Sequence, residues 1–482
     1  MLRKNCIAVL LLTAMLASLA ACGGESAAVD TTAASGGDTT TEEATGKPAS
    51  GLPEVDFGGE AFTFLNGNTA AWMTTFVVTA EEENGDTIND AIYRRNVIVE
   101  DKYNVVIKEI STKSVRSDVT NAVAAGDDSF DVALMVSGDA HTITLEGAAM
   151  DYAEIPHVDV TKPWWVEGSV TGFSMMNHVY YAISEFDTTH YDGVRTIFFN
   201  KEMAEEYKLE SIYDLVYAGK WTLDKFQQMG MTVARDLNGD SEWGKGDQFG
   251  YTSYESIGAQ TLMTGVGVFP SLGKDADDLP ILNTNTEACI TKLIKLTNIL
   301  NDTPGFRNPG QTGDTSGGLA DFIDGRVLFY NVTLGNINYL REMQQDFGII
   351  PTPKYDETQD GYHHLGGNPY FMLVPVTTPN LEKTGVIMEA LAYESVGIID
   401  TAFYDTFLQG KAARDEDSIA MLDLIFDTLT YYHAVARNYV NANLTKMVWN
   451  NDVNFASYFA ENKSTIETLI EEAIDAYNAN VK

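Results

Sequence analysis

The chain has 482 residues and a formal net charge of −38, with 69 aspartates and glutamates against 31 lysines and arginines. A charge of this sign and size repels nucleic acid and anionic lipid, so the composition argues against a nucleic-acid-binding role. The length exceeds the roughly 250–300 residues at which a single core stops growing, so we expect two or more lobes.

The N-terminal part predicts export and a tether. Residues 1–21 contain a basic start, a short apolar run and small residues before Cys22, which is typical of a secretory signal peptide. The closing LAAC resembles the bacterial lipobox, in which a peptidase cuts before a diacylated cysteine; an ordinary signal peptide with a chance cysteine is the alternative. Residues 22–53 have almost no large apolar side chains, which predicts a flexible tether behind a lipidated Cys22.

Strand and helix patterns alternate along the first part of the body. They predict a strand over residues 60–66, a helix over 88–103, a strand over 104–110, a helix over 114–125 and a buried strand over 130–136. This alternation is typical of an α/β fold with a parallel sheet. Further strands are predicted over residues 196–200, 327–330, 347–350 and 370–374, and the chain is mainly helical from residue 381 onward.

Residues 236–247 carry oxygen-bearing side chains at the spacing of a calcium loop. The pattern departs from that of an EF-hand at two positions, because Ser241 replaces the central glycine and an aspartate replaces the final glutamate. A structural calcium ion is one interpretation, and a solvated turn capped by Asn and Asp side chains is the other. No other cofactor is expected. The candidate metal ligands are Asp236, Asn238, Asp240, Glu242 and Asp247.

A set of segments in a fixed order resembles one protein family. They are GDTINDAIYRRNVIVEDKYNVVIKE (85–109), KPWW (162–165), FFNKEMAEEYKLESIYDLVYAGKWTLDKF (198–226), DLNGDSEWGKGDQFGY (236–251), FIDGRVLFYN (322–331), DFGIIPTPKYDETQDGYH (346–363) and KAARDEDSIAMLDLIFD (411–427). With this set the chain resembles the family 1 extracellular solute-binding proteins, the mainly carbohydrate-specific receptors of bacterial ABC importers. Within that family it is similar to the acidic lipoproteins of clostridia and their relatives.

The resemblance implies an α/β fold of the periplasmic-binding-protein-like type II, with two lobes, a ligand cleft between them and a helical C-terminus. It places residues 57–188 and 329–372 in lobe one, and residues 192–328 and 373–482 in lobe two. It also implies a location on the outer face of the cell membrane, where a lipid anchor holds a receptor that delivers a sugar or oligosaccharide to the membrane subunits of an ABC importer.

The sequence gives no positive sign of catalysis. It contains no GxSxG elbow, HExxH, P-loop or GxGxxG after a strand, so we expect a binding protein and not an enzyme. Two alternatives stay open. The same fold could bind a peptide or another non-sugar solute, and less favoured is a secreted glycoside-active enzyme.

Candidate ligand contacts follow predicted strands, because ligands of open α/β sheets lie beyond the carboxyl ends of strands. Tryptophan rings stack on the apolar faces of sugars, and carboxylate and amide groups bind their hydroxyls. Trp72 and Trp449 are the stacking candidates, although core packing is the commoner fate of a tryptophan. The polar candidates, each of which could instead cap a loop, are Asp139, Asp187, Asn331, Asn368 and Tyr370.

Overall fold

Two five-stranded sheets with helices packed on both faces form the framework of the computed structural model. The structure describes residues 47–68, 76–244, 246–253, 257–269, 271–307, 318–367, 369–408, 416–431 and 437–480. The strands are β1 (Glu60–Asn66), β2 (Val105–Ser111), β3 (Val132–Met135), β4 (Tyr181–Ala182), β5 (Arg195–Asn200), β6 (Phe249–Ser253), β7 (Leu272–Lys274), β8 (Pro280–Leu282), β9 (Phe306–Arg307), β10 (Val327–Thr333), β11 (Phe347–Ile350), β12 (His364–Leu365), β13 (Phe371–Leu373) and β14 (Leu429–Thr430). The helices are α1 (Thr87–Tyr103), α2 (Val115–Ala125), α3 (Ser137–Leu145), α4 (Glu167–Phe173), α5 (Thr189–Asp192), α6 (Lys201–Glu206), α7 (Ile212–Tyr217), α8 (Leu223–Val233), α9 (Ile257–Gly265), α10 (Glu287–Asp302), α11 (Leu319–Ile323), α12 (Leu381–Ser395), α13 (Ile399–Leu408), α14 (Glu416–Phe426), α15 (Ala442–Trp449) and α16 (Phe455–Asn480).

The first sheet has the strand order β2–β1–β3–β13–β4, and we call it and its helices the first lobe. β1 is parallel to β2 and β3, whereas β13 runs antiparallel to both β3 and β4. Side chains alternate across the sheet, so Phe62 and Phe64 join the core on one face while Leu65 joins the core on the other. The parallel strands joined by helices confirm the predicted α/β class.

The second sheet has the order β11–β5–β10–β6–β9 and forms the second lobe. β6 is parallel to β10 and β9, and β5 runs antiparallel to β10 and β11. Phe199 faces the core that contains Trp221, and its neighbour Phe198 faces the opposite core. Thr222 caps α8 by accepting a hydrogen bond from the Lys225 N–H at 3.4 Å.

Several segments connect the two lobes. Residues 183–194, the first crossing, lead from β4 to β5, and residues 366–370, the second crossing, lead from β12 to β13. The C-terminal helix α16 begins with Phe455 in the core of the second lobe and ends with Tyr477 in the core of the first. These connections give the two-lobe arrangement with a helical C-terminus that the sequence predicts.

The division of the chain between the lobes differs from the predicted one. Residues 329–372 were expected in lobe one, yet β10 and β11 are hydrogen-bonded to β5 in the second sheet, and of the strands in that range only β13 belongs to the first sheet. Residues 373–482 were expected in lobe two, yet Val386 and Ile387 of α12 pack in the core of the first lobe. The boundaries therefore move because strand pairing, and not sequence order, decides which sheet a segment joins.

The predicted signal peptide and Cys22 lie outside the described residues, as does most of the predicted tether. Leu52–Lys482 forms one compact unit, and all elements named here belong to it. In the part of the chain that the structure describes, no helix is both long enough and apolar enough to cross a membrane.

Candidate functional site

The carboxyl ends of three parallel strands in the second lobe meet at the edge that faces the first crossing. β10 ends at Thr333, which pairs with Arg195, the residue directly after that crossing. β6 and β9 run parallel to β10, so their last residues, Ser253 and Arg307, lie at the same edge. A cavity of about 10 Å³, room for about one water molecule, lies there, lined by Tyr251, Ser253, Ala259, Leu300, Arg307, Val448 and Trp449. Because ligands of open sheets bind at this edge, the cavity is the candidate site.

A second groove in the molecule is wider but lies elsewhere. It runs along α10 and is lined by Ile294, Lys295 and Tyr355 among others. Lys292 and Lys295 stand 5.4 and 4.8 Å from the centre of the Tyr355 ring, so two lysine side chains already contact its one aromatic ring. The groove is on the helical side of the second lobe and not at a strand end, which favours the smaller cavity as the site.

A buried amide lies on β10, next to the strand that contributes Tyr251 and Ser253 to the cavity lining. Asn331 pairs in register with Ser253 and is fully buried. Burial raises the pKa of the neighbouring Tyr251, and hydrogen bonding to the side chains of Ser253 and Asn331 partly offsets the rise. Asn331 therefore lies behind the cavity wall, and its contact with ligand stays a prediction.

Arg307 is held in place at the cavity wall by an acidic partner. Its guanidinium donates to the Asp321 carboxylate, which also accepts from Arg326, and its charge lies 5.2 Å from the centre of the Phe249 ring. Its position at the end of a two-residue strand explains why the strand patterns did not single it out. Tyr251 and Ser253 were also missed, because the sequence pattern predicted no strand over residues 249–253.

The structure places Trp449 at the cavity, as the last residue of α15. The side chain is partly exposed, unlike Trp221, which is fully buried. A partly exposed tryptophan face in the cavity lining is suited to stack on the apolar face of a sugar ring. The predicted role of Trp449 in stacking remains a prediction, and its location fits that role.

In the first lobe, the loop that carries Trp72 is anchored at both ends. Asn66, the last residue of β1, donates at 2.8 Å to both the Phe76 carbonyl and the Glu109 carboxylate. Glu109 in turn accepts from the Val78 N–H at 2.8 Å. Trp72 itself lies outside the described residues, so its contact with ligand stays a prediction.

A fully buried arginine connects Val78, which follows the segment with Trp72, to the first crossing. Arg95 on α1 donates to the Val78 and Phe186 carbonyls, each at 3.2 Å, and its guanidinium carbon lies 4.5 Å from the centre of the Phe186 ring. Its remaining contacts go to the Asn96 side-chain oxygen, and burial lowers its pKa to about 9. Arg95 therefore holds the backbone at Val78 in a fixed position relative to Phe186 in the first crossing.

Asp187 and Tyr370 come together where the two crossings meet. The Asp187 carboxylate accepts from the Thr189 N–H at 2.7 Å and from the Tyr370 N–H at 2.9 Å, and the side chain is only 2% exposed. The Tyr370 ring is buried as well and stacks on Phe76 with centroids 6.0 Å apart. Burial raises the pKa of Asp187 to about 6, against the opposing effects of the His190 charge and these hydrogen bonds. The geometry of both residues fits a clamp between the crossings better than direct contact with ligand.

Asp139, a further predicted contact, lies at the sheet edge of the first lobe. Asp139 is half-buried in the first turn of α3, directly after β3, where a residue at the edge of a cleft is expected. Asn368, in the second crossing, lies outside the described residues. The structure thus leaves the roles of Asp139 and Asn368 as predictions.

The loop 236–247 closes on its own hydrogen bonds. The Asp236 carboxylate accepts from the N–H groups of Gly239 and Ser241 at 2.6 and 2.8 Å. Asp247 is fully buried and accepts from Leu237 and Gly244 at 3.0 and 2.8 Å. The bonds of the other candidate ligands, which engage Asn238, Asp240 and the Glu242 N–H, also stay inside the loop.

These hydrogen bonds affect how many oxygen atoms remain free to bind a calcium ion. Within the described residues, no three His, Cys, Asp or Glu side chains stand close enough together to hold a metal ion. Carboxylates that cap backbone N–H groups have fewer lone pairs left for a cation that needs six to eight oxygens. The loop therefore fits a capped turn, the second interpretation from the sequence, better than a calcium site, and a calcium titration tests this choice.

Comparison with known proteins identifies the fold. No family profile and no curated protein match the sequence. A family 1 extracellular solute-binding protein from Bifidobacterium longum subsp. infantis is 14% identical, with a TM-score of 0.54 over 85% of this chain and 100% of that one. An ABC substrate-binding protein from Listeria monocytogenes, solved in complex with cycloalternan, is 13% identical, with a TM-score of 0.53 over 86% of this chain and 99% of that one. RafE from Streptococcus pneumoniae, in its apo form, is 13% identical, with a TM-score of 0.53 over 88% and 99%.

The chain thus has the two-lobe fold of the family 1 solute-binding proteins. The similarity extends over nearly the whole length of each of the three solved chains, so both lobes are included. The predicted fold is confirmed.

Proposed function

We propose that the chain is a receptor that binds one sugar or oligosaccharide between its two lobes. The observation that carries this proposal is the edge where β6, β9 and β10 end, at which Trp449 and Arg307 of the second lobe line a cavity with room, in this conformation, for about one water molecule. An aromatic face next to a few fixed polar groups is the combination that sugar sites use. The Listeria structure with cycloalternan supports the choice of carbohydrate as the solute class.

The rest of the proposal concerns the place of the receptor in the cell. The exported chain is lipidated at Cys22, stays on the outer face of the cell membrane and passes its solute to the membrane subunits of an ABC importer. The signal-like residues 1–21 and the tether-like residues 22–53 support this location. The receptor holds its ligand without converting it, which distinguishes it from a glycoside-active enzyme.

A thermal-shift screen of residues 52–482 against mono- and oligosaccharides, amino acids and short peptides tests the proposal. A ligand at about a hundredfold excess over its Kd stabilises by about 2.7 kcal/mol, which shifts Tm by several degrees. A shift with one sugar class, followed by recovery of that sugar unchanged, is the expected result. A shift with peptides alone would overturn the sugar proposal, and a sugar recovered as product would make the protein an enzyme.

A further inference from the structure

A hairpin of the second lobe reaches across to the first lobe. β7 and β8 lie between α9 and α10, and Phe269 before the hairpin and Leu282 at its end pack against the core of the second lobe. The turn of the hairpin, residues 275–279, contacts first-lobe residues 171–178, which form the end of α4 and the turn after it. This contact is separate from the two crossings, although α16, which runs from the core of the second lobe to that of the first, packs against β8 nearby.

Asp278 at the hairpin turn docks on backbone N–H groups of the first lobe. Its carboxylate accepts from the Asn177 N–H at 2.9 Å and the Ser174 hydroxyl at 3.1 Å, and its carbonyl accepts from the Met176 N–H at 3.2 Å. Met176 and Asn177 have φ of 54° and 63°, a region that non-glycine residues rarely adopt. This strained turn presents two successive N–H groups to Asp278, and such an arrangement attracts an anion.

Lys274 adds a second set of contacts from the same hairpin. Its ammonium donates at 2.5 Å to the carbonyls of Thr171 and Ser174 at the C-terminal end of α4, and it lies 2.9 Å from the Asp278 carboxylate. The Lys274 and Asp278 side chains are 20% and 17% exposed, so solvent screens this pair less than an ordinary surface pair. The two side chains thus form one charged unit that bridges the lobes.

The contact joins the hairpin to the C-terminal end of α4. Helix α4 also packs against β14 and the residue after it, since Gly168 abuts the Leu429 carbonyl and Gly172 abuts Tyr431. When two lobes rotate about their crossings as rigid bodies, a contact away from the axis has to slide or break.

We propose that the β7–β8 hairpin is a latch that holds the two lobes in the docked conformation seen here and so controls how readily the cleft opens. Two charged side chains that bond four groups of the opposite lobe shift the ratio of docked to undocked molecules on the order of tenfold or more. The inference goes beyond the proposed function and rests on it only in naming the cleft as the ligand site. The docking itself can be measured without any ligand.

The test compares Asp278→Ala and Lys274→Ala with the wild-type chain, and uses Asp277→Ala as the matched control. Asp277 lies in the same turn and carries the same charge, but its side chain is exposed. Without ligand, small-angle X-ray scattering measures the radius of gyration and hydrogen exchange measures protection of the amides at 176 and 177. We expect both latch variants to show a larger radius and faster exchange confined to residues 171–178 and 272–282, and the control to match the wild type.

Unchanged radius and unchanged exchange in Asp278→Ala would overturn the latch. A larger radius with faster exchange throughout the chain would also overturn it, because that pattern indicates unfolding and not release of one contact. Asp278→Asn, which keeps the shape of the side chain, is the milder variant, and we expect it to give the same local effect at smaller size. None of these results depends on which solute binds, so failure of the latch and failure of the sugar proposal are distinguishable.

Discussion

Asp187 provides a sharp test of the structure because its carboxylate is buried where the crossings meet. Burial raises its pKa from 3.8 to about 6. The folded state therefore favours the protonated form, and the contribution of this group to stability is full below about pH 4 and is lost as the pH rises through about 6. A shift of about two pKa units corresponds to about 3 kcal/mol at high pH, of which about 1.4 kcal/mol is lost between about pH 5 and pH 7.5.

Asp187→Asn removes the ionisation. The asparagine oxygen can accept from the Thr189 N–H, but its amide group then faces the Tyr370 N–H, so a donor-to-donor conflict costs roughly 1–3 kcal/mol at every pH. The informative quantity is thus the change with pH of the difference between variant and wild type. Urea unfolding at both pH values should show the variant gaining about 1.4 kcal/mol on the wild type from pH 5 to pH 7.5.

The exposed Asp277 provides a control for the comparison of Asp187→Asn with the wild type. Asp277→Asn also removes one carboxylate, but from an exposed side chain, so we expect no change of the difference with pH. If Asp187→Asn behaves like this control, the carboxylate ionises in the folded protein as it does in water. That result would refute the description of Asp187 as a buried clamp between the crossings.

Three further predictions concern Glu389, the loop 236–247 and Trp449. Glu389 is buried and accepts from the indole N–H groups of Trp164 and Trp165, at 2.6 and 2.9 Å. Glu389→Ala should lower the free energy of unfolding, measured by urea titration, by about 3 kcal/mol or more. A loss below about 1 kcal/mol would contradict these hydrogen bonds. Calcium should leave Tm unchanged because the 236–247 loop is closed by its own bonds; a rise that Asp240→Asn abolishes would instead establish a metal site. Trp449→Ala should weaken binding of the sugar found in the screen at least about tenfold by calorimetry with little change in Tm, and unchanged affinity would remove Trp449 from the site.

The first five elements of the body, β1, α1, β2, α2 and β3, could be predicted from periodicity, while the assignment of strands to sheets could not. β1 is predicted and found over residues 60–66, and β11 over 347–350. The alternation of apolar residues shows that a strand is buried, but it does not show which strand lies next to it. Residues 329–350 were therefore predicted in the wrong lobe, although β10 and β11 themselves were recognised.

The prediction of single site residues was also limited, because local sequence patterns do not show long-range packing. The strand-end argument predicted Asn331 and missed Arg307, because a two-residue strand has no periodicity to detect. Asp187 was predicted as a ligand contact, and its N–H partner at Tyr370 is 183 residues away in the chain, so its burial was not visible locally. Sequence patterns locate polar residues near strand ends, but long-range packing decides whether a side chain faces the cavity or closes a crossing.

The buried charges at the crossings are bonded to neutral groups. Asp187 accepts hydrogen bonds from the Thr189 and Tyr370 N–H groups, and Arg95 donates to the Val78 and Phe186 carbonyls. The buried Lys383, by contrast, contacts the Asp131 carboxylate at 3.5 Å. Burying a charge lowers stability unless hydrogen bonds or an opposite charge offset its desolvation. Asp187 and Arg95 are therefore expected where their hydrogen bonds hold the crossings in one geometry, which an apolar side chain could not do.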